Sequence, residues 1–289
     1  MKLAISVFLA FATVPSLATA QGCDAWLSPD FWVRAGAVEV LNCEGRRAEE
    51  RDENGVMPMH LAAAYGTISA INALALLELD AVNYSDHQGY TPLHYAAEHN
   101  ADPEMITALL ALGADVHIRS EYDVGPLDLA AGYNANAEVV SRLIEAGAEV
   151  APEFDTVSHV PETPIMYAAR FNSNPAILDV LLAKGANLQA QDMRGYGLLH
   201  MAIMSENQPA MIEALIARGV NVNAQQLDGY TPLMQAVQSG RSAAIVRLLL
   251  DAGADAGLKD KFGATALDHA HQHQASPVVL LLLQSAGTD

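Results

Sequence analysis

Histidine, tyrosine and glutamate side chains come together in the stretch GYTPLHYAAEHN, residues 89–100. His94 stands beside a tyrosine and four residues before Glu98, and these residue types could serve general acid–base catalysis. Related stretches place His60 and His200 at the equivalent position, but the remaining copies replace the histidine. The replacing residues are Asp128, Met166, Met234 and Asp268. Because the copies do not share a base, we expect no catalytic residue among them.

A second candidate for chemistry is HAHQH, residues 269–273. On a helix, His269 and His273 share one face while His271 points away, so at most two of them could chelate one ion. The alternative is a terminal unit that carries polar residues on its outer face. Fingerprints of serine hydrolases, zinc proteases, P-loop proteins and dinucleotide-binding proteins do not occur. We therefore expect no metal site, no cofactor and no enzymatic activity.

The histidine stretches are copies of one phrase that recurs along the chain. Its TPLH-like tetrads begin at Met57, Thr91, Gly125, Thr163, Gly197, Thr231 and Thr265. Successive steps are 34 residues long, apart from one step of 38. A second phrase, such as LLALGADVH, follows in register with the first. Repetition at this period is typical of a solenoid of stacked supersecondary units.

The two phrases together resemble ankyrin repeats, whose pattern is a turn, T-P-L-H-x-A-A, a leucine-rich second helix and G-A-D-x-N. The resemblance implies an all-α-dominated ankyrin-repeat solenoid of helix-turn-helix units joined by β-hairpin-like loops. It also implies that the tetrad histidine hydrogen-bonds backbone between adjacent repeats. The units are expected at about 52–85, 86–119, 120–157, 158–191, 192–225, 226–259 and 260–289.

Local chemistry favours helices at these positions. Thr91 can cap the first helix of its unit, Pro92 suits the first helical position, and Gly113 can adopt the left-handed conformation that ends the second helix. Ile68 stands where other units cap the second helix, so we expect a looser turn there. The capping pairs of the second helices are Asp102-Pro103, Asn174-Pro175, Gln208-Pro209 and Ser276-Pro277, and Asn136 and Ser242 provide the cap without proline.

The start of the chain carries features of export. Residues 1–20 combine one lysine, an apolar run and an Ala-Thr-Ala ending, as a cleavable secretory signal peptide does. The two cysteines, Cys23 and Cys43, then reach an oxidising compartment, where we expect them to form a disulfide. They lie within 21–51, which we expect to cap the solenoid with a degenerate helix pair. The predicted location is periplasmic or secreted, with no membrane span after signal cleavage.

The charge of the chain restricts its partners. Its 15 basic and 34 acidic side chains give a formal net charge of −19, and the basic residues do not cluster. Nucleic acids and anionic membranes are therefore excluded as partners. A protein with a basic patch is the partner that this charge favours.

The 38-residue step falls within VAPEFDTVSHVPETP, where Pro161 replaces the glycine of other turns. We expect an extended loop at 151–162 that interrupts the regular row. Such a loop could bind a ligand or could be an indifferent insertion.

Tyrosines mark the surface that we expect to bind. All nine lie in the hairpin segments or on first helices, and these parts of an ankyrin solenoid line its concave side. Tyrosine combines a large contact area with a polar tip, although some of these rings could simply pack between units. The predicted partner-binding residues are Tyr90, Tyr95, Glu98, His99, Tyr122, Tyr133, Tyr167, Arg170, Phe171, Tyr196, Met201, Met204 and Tyr230.

The sequence therefore predicts a non-enzymatic protein–protein interaction module in the cell envelope. Two alternatives stay open: an inhibitor or immunity protein against a toxin or effector, and a metal-dependent stress-protection factor that uses the 151–162 loop or His269 and His273. The oligomeric state is open too. The last helix, PVVLLLLQSAG, is apolar nearly all round, so we expect the tail or another subunit to cover it; the alternative is that this end of the solenoid frays.

Overall fold

The structure is a computed structural model of the chain, and it describes residues 27–34, 36, 40, 51–77, 79–151, 162–205 and 209–287. The predicted signal peptide, the Cys23–Cys43 disulfide and most of the N-terminal cap lie outside the described residues. The same is true of nearly all of the 151–162 loop.

Short helices follow one another in pairs over the described residues. The first helices of the pairs are α2 (Pro58–Tyr65), α4 (Pro92–His99), α6 (Pro126–Tyr133), α8 (Pro164–Phe171), α10 (Leu198–Met204), α12 (Pro232–Gln238) and α14 (Ala266–Gln272). The second helices are α3 (Ile68–Leu77), α5 (Pro103–Ala111), α7 (Ala137–Glu145), α9 (Ala176–Ala183), α11 (Pro209–Ala217), α13 (Ala243–Asp251) and α15 (Pro277–Ala286). A one-turn helix α1 (Pro29–Trp32) precedes them, and a 3₁₀ helix (Leu79–Asn83) follows α3.

The pairs stack into two rows. Each first helix packs on the first helix of the next pair, and second helices make a less extensive row of contacts. Among the described residues the only β-type pairing is one isolated bridge, Gln191 with Gly197. The predicted all-α-dominated solenoid is confirmed.

Capping residues set where the second helices begin. Asp102 accepts a hydrogen bond from the Glu104 N–H at 3.0 Å, and Asn136 does the same for Glu138. The looser turn expected at Ile68 is wrong, because α3 begins at Ile68 itself. The preceding Thr67 supplies the cap, since its hydroxyl accepts the Ala70 N–H at 3.3 Å.

The tetrad histidines connect neighbouring units, as the resemblance implied. His94 Nδ1 accepts the Thr91 N–H at 3.1 Å, and its Nε2 donates to the Val124 carbonyl of the next unit at 3.1 Å. His60 and His200 make the same bonds to the carbonyls of Tyr90 and Tyr230, both at 3.0 Å. Burial lowers the pKa of His60 and His94 to about 4, so both are neutral at neutral pH. They are structural residues, not bases.

Asp128 replaces this histidine in its unit and keeps one of its two hydrogen bonds, the one from the backbone N–H three residues earlier. Its Oδ2 accepts the Gly125 N–H at 2.8 Å and pairs with Arg119 at 3.0 Å. Burial raises the pKa of Asp128 to about 6 despite these two contacts. An ionised aspartate has no proton to donate to a carbonyl of the next hairpin, so Asp128 cannot make the bond between units that His60 and His94 make.

Two further sets of hydrogen bonds hold units together. Asn134 Nδ2 donates to the carbonyls of Ala97 and Asn100 in the preceding unit, at 2.9 Å each. At the hairpins, backbone bonds join one turn to the next, as in Glu121 N–H to Gln88 O at 2.9 Å. These bonds fix the first helices and hairpins relative to one another.

Candidate partner-binding surface

The first helices and the hairpin loops form one continuous face, here called the inner surface. Most of the residues predicted to bind a partner are accessible on it. The exposed fraction is 60% for Tyr122, 46% for Tyr133, 45% for Met204 and 38% for Phe171. His99 is also exposed, and the partly exposed residues are Tyr90, Tyr95, Glu98, Tyr167, Arg170, Tyr196 and Tyr230.

Aromatic rings end four consecutive first helices. These residues are Tyr65, His99, Tyr133 and Phe171, the last residues of α2, α4, α6 and α8. Tyr65 and His99 stack with ring centroids 5.4 Å apart, and Tyr133 and Phe171 stack at 5.1 Å. We call these four residues the aromatic row. Their stacking holds flat, half-exposed rings in place before any partner arrives.

Met201 is a correction to the predicted surface. It occupies the helix position of Tyr95 and Tyr167, but its side chain is completely buried in the core. An unbranched methionine fits entirely into the space between first helices. Tyrosine is larger, and Tyr95 and Tyr167 at the same position stay partly exposed. Met201 therefore cannot contact a partner on the folded protein.

Tyr95 has a structural role besides its exposure. Its hydroxyl donates to Asp86 Oδ2 at 2.9 Å, and its ring packs edge-on against His60 with centroids 5.0 Å apart. The Tyr196 and Tyr230 rings likewise pack partly against the core. These three tyrosines are therefore only partly exposed on the inner surface.

Hairpin tips carry apolar side chains that the sequence reasoning missed. Met193, Leu227 and Phe262 are exposed by 53%, 75% and 76%. Each stands inside an otherwise polar turn, in DMRGY, QLDGY and DKFGA. An apolar residue in such a turn was the available signal, because a turn offers it no core to enter.

A pocket of about 440 Å³ opens on the inner surface beside α8. Within it Arg170 pairs with Glu162 at 2.6 Å, and burial raises the pKa of Glu162. The lining residues are Tyr122, Asp123, Glu162, Tyr167, Arg170, Asp192, Met193, Arg194, Tyr196 and Met204. A larger cavity of about 600 Å³ lies on the other side, between α11 and α13, away from the tyrosines.

Charge on the inner surface is predominantly negative. The cations Arg119, Arg170 and Lys261 each pair with a carboxylate. Glu98 and Glu121 have no lysine or arginine partner among the described residues. The face therefore retains uncompensated carboxylates next to aromatic rings.

The histidine pair considered for metal binding is already engaged. His269 is buried, and its Nε2 bonds to Asp260 Oδ2 at 2.9 Å. Its Nδ1 has no hydrogen-bond partner among the described residues, and the His273 ring stacks on the His269 ring with centroids 6.3 Å apart. Over the described part of the chain, no three histidine, cysteine, aspartate or glutamate side chains are grouped so as to hold a metal ion.

The ends of the solenoid differ in how they are covered. At the start, Trp32 of α1 is fully buried, and α1 packs on α2. At the other end, Val278 and Leu281 of α15 are exposed by 52% and 67%. The described part of the tail therefore does not cover them. None of the helices in the described ranges is long and apolar enough to cross a bilayer.

Comparison with known proteins identifies the repeats. The family model described as "Ankyrin repeats (3 copies)" matches residues 32–120, 127–226 and 199–289. Among solved structures, the chain is similar to the human ASB11 ankyrin repeat domain, with 26% identity and a TM-score of 0.67. That alignment covers 80% of this chain and 98% of the human domain. No curated protein sequence matches the chain.

Proposed function

Because the chain belongs to the ankyrin-repeat family, whose members are generally protein–protein interaction modules, we propose that it is a non-enzymatic binding protein that recognises its partner through the inner surface. The aromatic row is the observation that supports this proposal. Tyr133 and Phe171 are exposed by 46% and 38% although they stack on each other. Exposed aromatic rings on a fixed frame are the anchors that protein interfaces favour.

Preorganisation is the mechanism that the proposal requires. Hydrogen bonds such as those from His94 and Asn134 join neighbouring units, so the rings and hairpins are positioned before binding. A surface that is already ordered loses little conformational entropy in the complex. The apolar tips at Met193, Leu227 and Phe262 extend the contact area beyond the helices.

We further propose that the partner is basic and that the protein works in the cell envelope or outside the cell. The net charge of −19 and the uncompensated carboxylates of the inner surface support the first statement. The features of residues 1–20 support the second. Fractionation of cells that express the chain with and without residues 1–20 tests the location, since the proposal requires export only of the complete chain.

Affinity capture with matched variants tests the binding function. Tyr133→Ala with Phe171→Ala removes the central pair of the aromatic row, and we expect loss of a protein that the wild type retains. Leu76→Ala is the control, because Leu76 is an apolar residue of the second helix α3 with 80% of its surface exposed. Capture should weaken when salt rises from about 0.1 M to about 1 M, since the Debye length falls from roughly 10 Å to 3 Å. Equal capture by both variants would remove the inner surface as the binding site.

A further inference from the structure

Four hairpin turns begin with an aspartate at the same position, five residues before the tetrad of the unit. These residues are Asp52, Asp86, Asp192 and Asp260. Oδ1 of each accepts two backbone N–H groups of its own turn, at 2.8 to 3.0 Å. Because Oδ1 is occupied by the turn, the second oxygen, Oδ2, needs a donor from elsewhere.

Two of the four aspartates find that donor on the first helix of their own unit. The Tyr95 hydroxyl donates to Asp86 Oδ2 at 2.9 Å, and His269 Nε2 bonds to Asp260 Oδ2 at 2.9 Å. Each donor stands nine residues after its aspartate, and both donors are aromatic. A ring with a polar tip is therefore the group by which this chain satisfies Oδ2.

The other two aspartates lack this donor. Leu61 and Met201 stand nine residues after Asp52 and Asp192, and neither side chain has an N–H or O–H group. Asp192 Oδ2 accepts no hydrogen bond from the described residues. Asp192, unlike Asp52, lines the pocket of about 440 Å³ beside α8, which is large enough for a small ligand. An unused acceptor therefore belongs to the wall of a space that a ligand can enter.

The walls around Asp192 suit an aromatic ring. Met193 and Met204 line the same pocket and are exposed by 53% and 45%, and the partly exposed Tyr167 and Tyr196 line it as well. Thioether sulfur and aromatic rings both make favourable contacts with an inserted ring. We call Asp192, Met193, Tyr196, Met204 and Tyr167 the Asp192 pocket.

Charge decides between a neutral and a charged ligand. The other two carboxylates that line the 440 Å³ cavity are already paired with arginines of this chain. The charges left are those of Asp192 and Arg194, which have opposite signs and form no ion pair with each other or with another described residue. A cationic ligand would be opposed by Arg194, and an anionic one by Asp192. A neutral group with a hydrogen-bond donor is therefore the best match.

We propose that the Asp192 pocket binds a tyrosine side chain of the partner protein. The ring lies against the methionines and tyrosines of the pocket, and its hydroxyl donates to Asp192 Oδ2, as Tyr95 does to Asp86 within this chain. The partner thus supplies the donor that Met201 cannot. This inference rests on the proposed binding function and names the chemistry of one contact within it.

The test uses small probes and does not need the partner. N-acetyl-tyrosine amide is titrated into the isotopically labelled protein, and amide resonances are followed by NMR. N-acetyl-phenylalanine amide, which lacks only the hydroxyl, is the matched probe, and N-acetyl-lysine amide is the cationic one. We expect saturable shifts at residues 192, 193, 196 and 204 with the tyrosine probe. The other two probes should bind about tenfold more weakly or less, since they lose the bond to a charged acceptor or meet Arg194.

Met201→Tyr supplies the missing donor from within the chain. Its hydroxyl should reach Asp192 Oδ2 as Tyr95 reaches Asp86, so the tyrosine probe should lose its site. Met201→Leu is the matched control, because leucine is apolar, of similar size and without a donor. It should bind the probe as the wild type does.

A second variant does not depend on how position 201 packs, and it decides the matter if Met201→Tyr fails to fold. Met204→Ala removes an exposed wall of the pocket, so the fold should be kept and the tyrosine probe should bind about threefold more weakly. Leu76→Ala, on the second helix α3, should leave binding unchanged. Absent shifts with the tyrosine probe, equal binding of phenylalanine, tighter binding of lysine, or unchanged binding by folded Met201→Tyr or by Met204→Ala would each overturn the assignment.

Failure of the Asp192 pocket can be told apart from failure of the binding function. If the Tyr133 and Phe171 variant loses the captured protein but the tyrosine probe does not bind, only the pocket is wrong. If the probe binds and capture is unaffected by that variant, the inner surface is not the interface, although the pocket holds a tyrosine.

Discussion

At the scale of single residues, burial decides which of the chemically suggestive side chains are structural. His94 is fully buried, accepts one backbone hydrogen bond and donates another to the next unit. His117, in contrast, is exposed, and its side chain makes no hydrogen bond with the described residues. The same residue type therefore has different consequences for stability at the two positions.

We predict that His94→Ala destabilises the protein by about 2–4 kcal/mol, because it leaves the buried Thr91 N–H without a partner and removes the bond to the Val124 carbonyl, which keeps only its bond from the Ser120 N–H. His117→Ala should change the free energy of unfolding by less than about 0.5 kcal/mol. Urea denaturation followed by circular dichroism measures both. Similar losses for the two variants would contradict the structural role of His94.

The His94 effect should depend on pH. The folded pKa of about 4 lies below the unfolded value of 6.5, so the unfolded state binds more protons between these values. The contribution of neutral His94 is complete above pH 6.5 and is lost as the pH falls towards 4. The difference between wild type and His94→Ala should therefore shrink over that range, while titrations common to both proteins cancel.

Residue depth is also where sequence reasoning reached its limit. The repeat register placed Tyr95, Tyr167 and Met201 at one helix position, and the structure places them there. The position of a residue in the repeat does not predict how much of its side chain is buried between the helices. Met201 is short enough to be enclosed and Tyr95 is not, and this difference arises from packing between helices that are distant in sequence.

At the scale of elements, hairpin glycines allow neighbouring units to approach closely. Gly89 has φ of +86°, and an added Cβ would lie 2.9 Å from Glu121 N and 3.0 Å from Ser120 Cα. Gly113, which ends α5, has φ of +93° and nothing within 4 Å of an added Cβ. Both glycines have positive φ, but only Gly89 lies against the backbone of the next unit.

We predict that Gly89→Ala costs at least about 2 kcal/mol, whereas Gly113→Ala costs about 1 kcal/mol for the left-handed conformation alone. The clash at Gly89 involves backbone atoms, which cannot rotate away. Thermal and urea unfolding of both variants provide the measurement. Equal losses would show that hairpin contact between units does not limit this position.

Element boundaries were largely predictable because caps and prolines act locally. Asp102 before Pro103 and Thr91 before Pro92 mark helix starts that the structure reproduces. The start of α3 was not predicted, since the capping residue Thr67 lies one position earlier than the caps of other units. The asparagine bonds between units, such as Asn134 to Ala97, could not be predicted from local sequence because they join residues 37 positions apart.

At the scale of the whole molecule, the residues that recur in every unit build the solenoid, and the residues that vary between units form the proposed binding surface. The fold could be predicted from the recurring phrases, and the family match covers most of the same residues. The surface could be predicted only in part. Apolar tips such as Leu227 and Phe262 depart from the polar turn pattern, and their exposure follows from the stacking of complete units.

Net charge acts at this scale as well. The inner surface combines aromatic rings with carboxylates such as Glu98, whereas Arg119 and Arg170 on the same face are paired with carboxylates of this chain. This combination favours basic segments of a partner and rejects acidic ones. Salt should therefore weaken binding mainly by slowing association, as expected for charge complementarity at an interface.

Site-specific photo-crosslinking tests most directly the claim that the inner surface is the interface. A benzophenone amino acid is placed at Tyr133 or Tyr122 on the inner surface, and at Leu76 or Glu104 on second helices, all four positions being exposed. Irradiation of cells that express each variant should give one common adduct from the two inner positions and none from the two outer positions. The same adduct from the outer positions, with none from Tyr133 and Tyr122, would contradict the account.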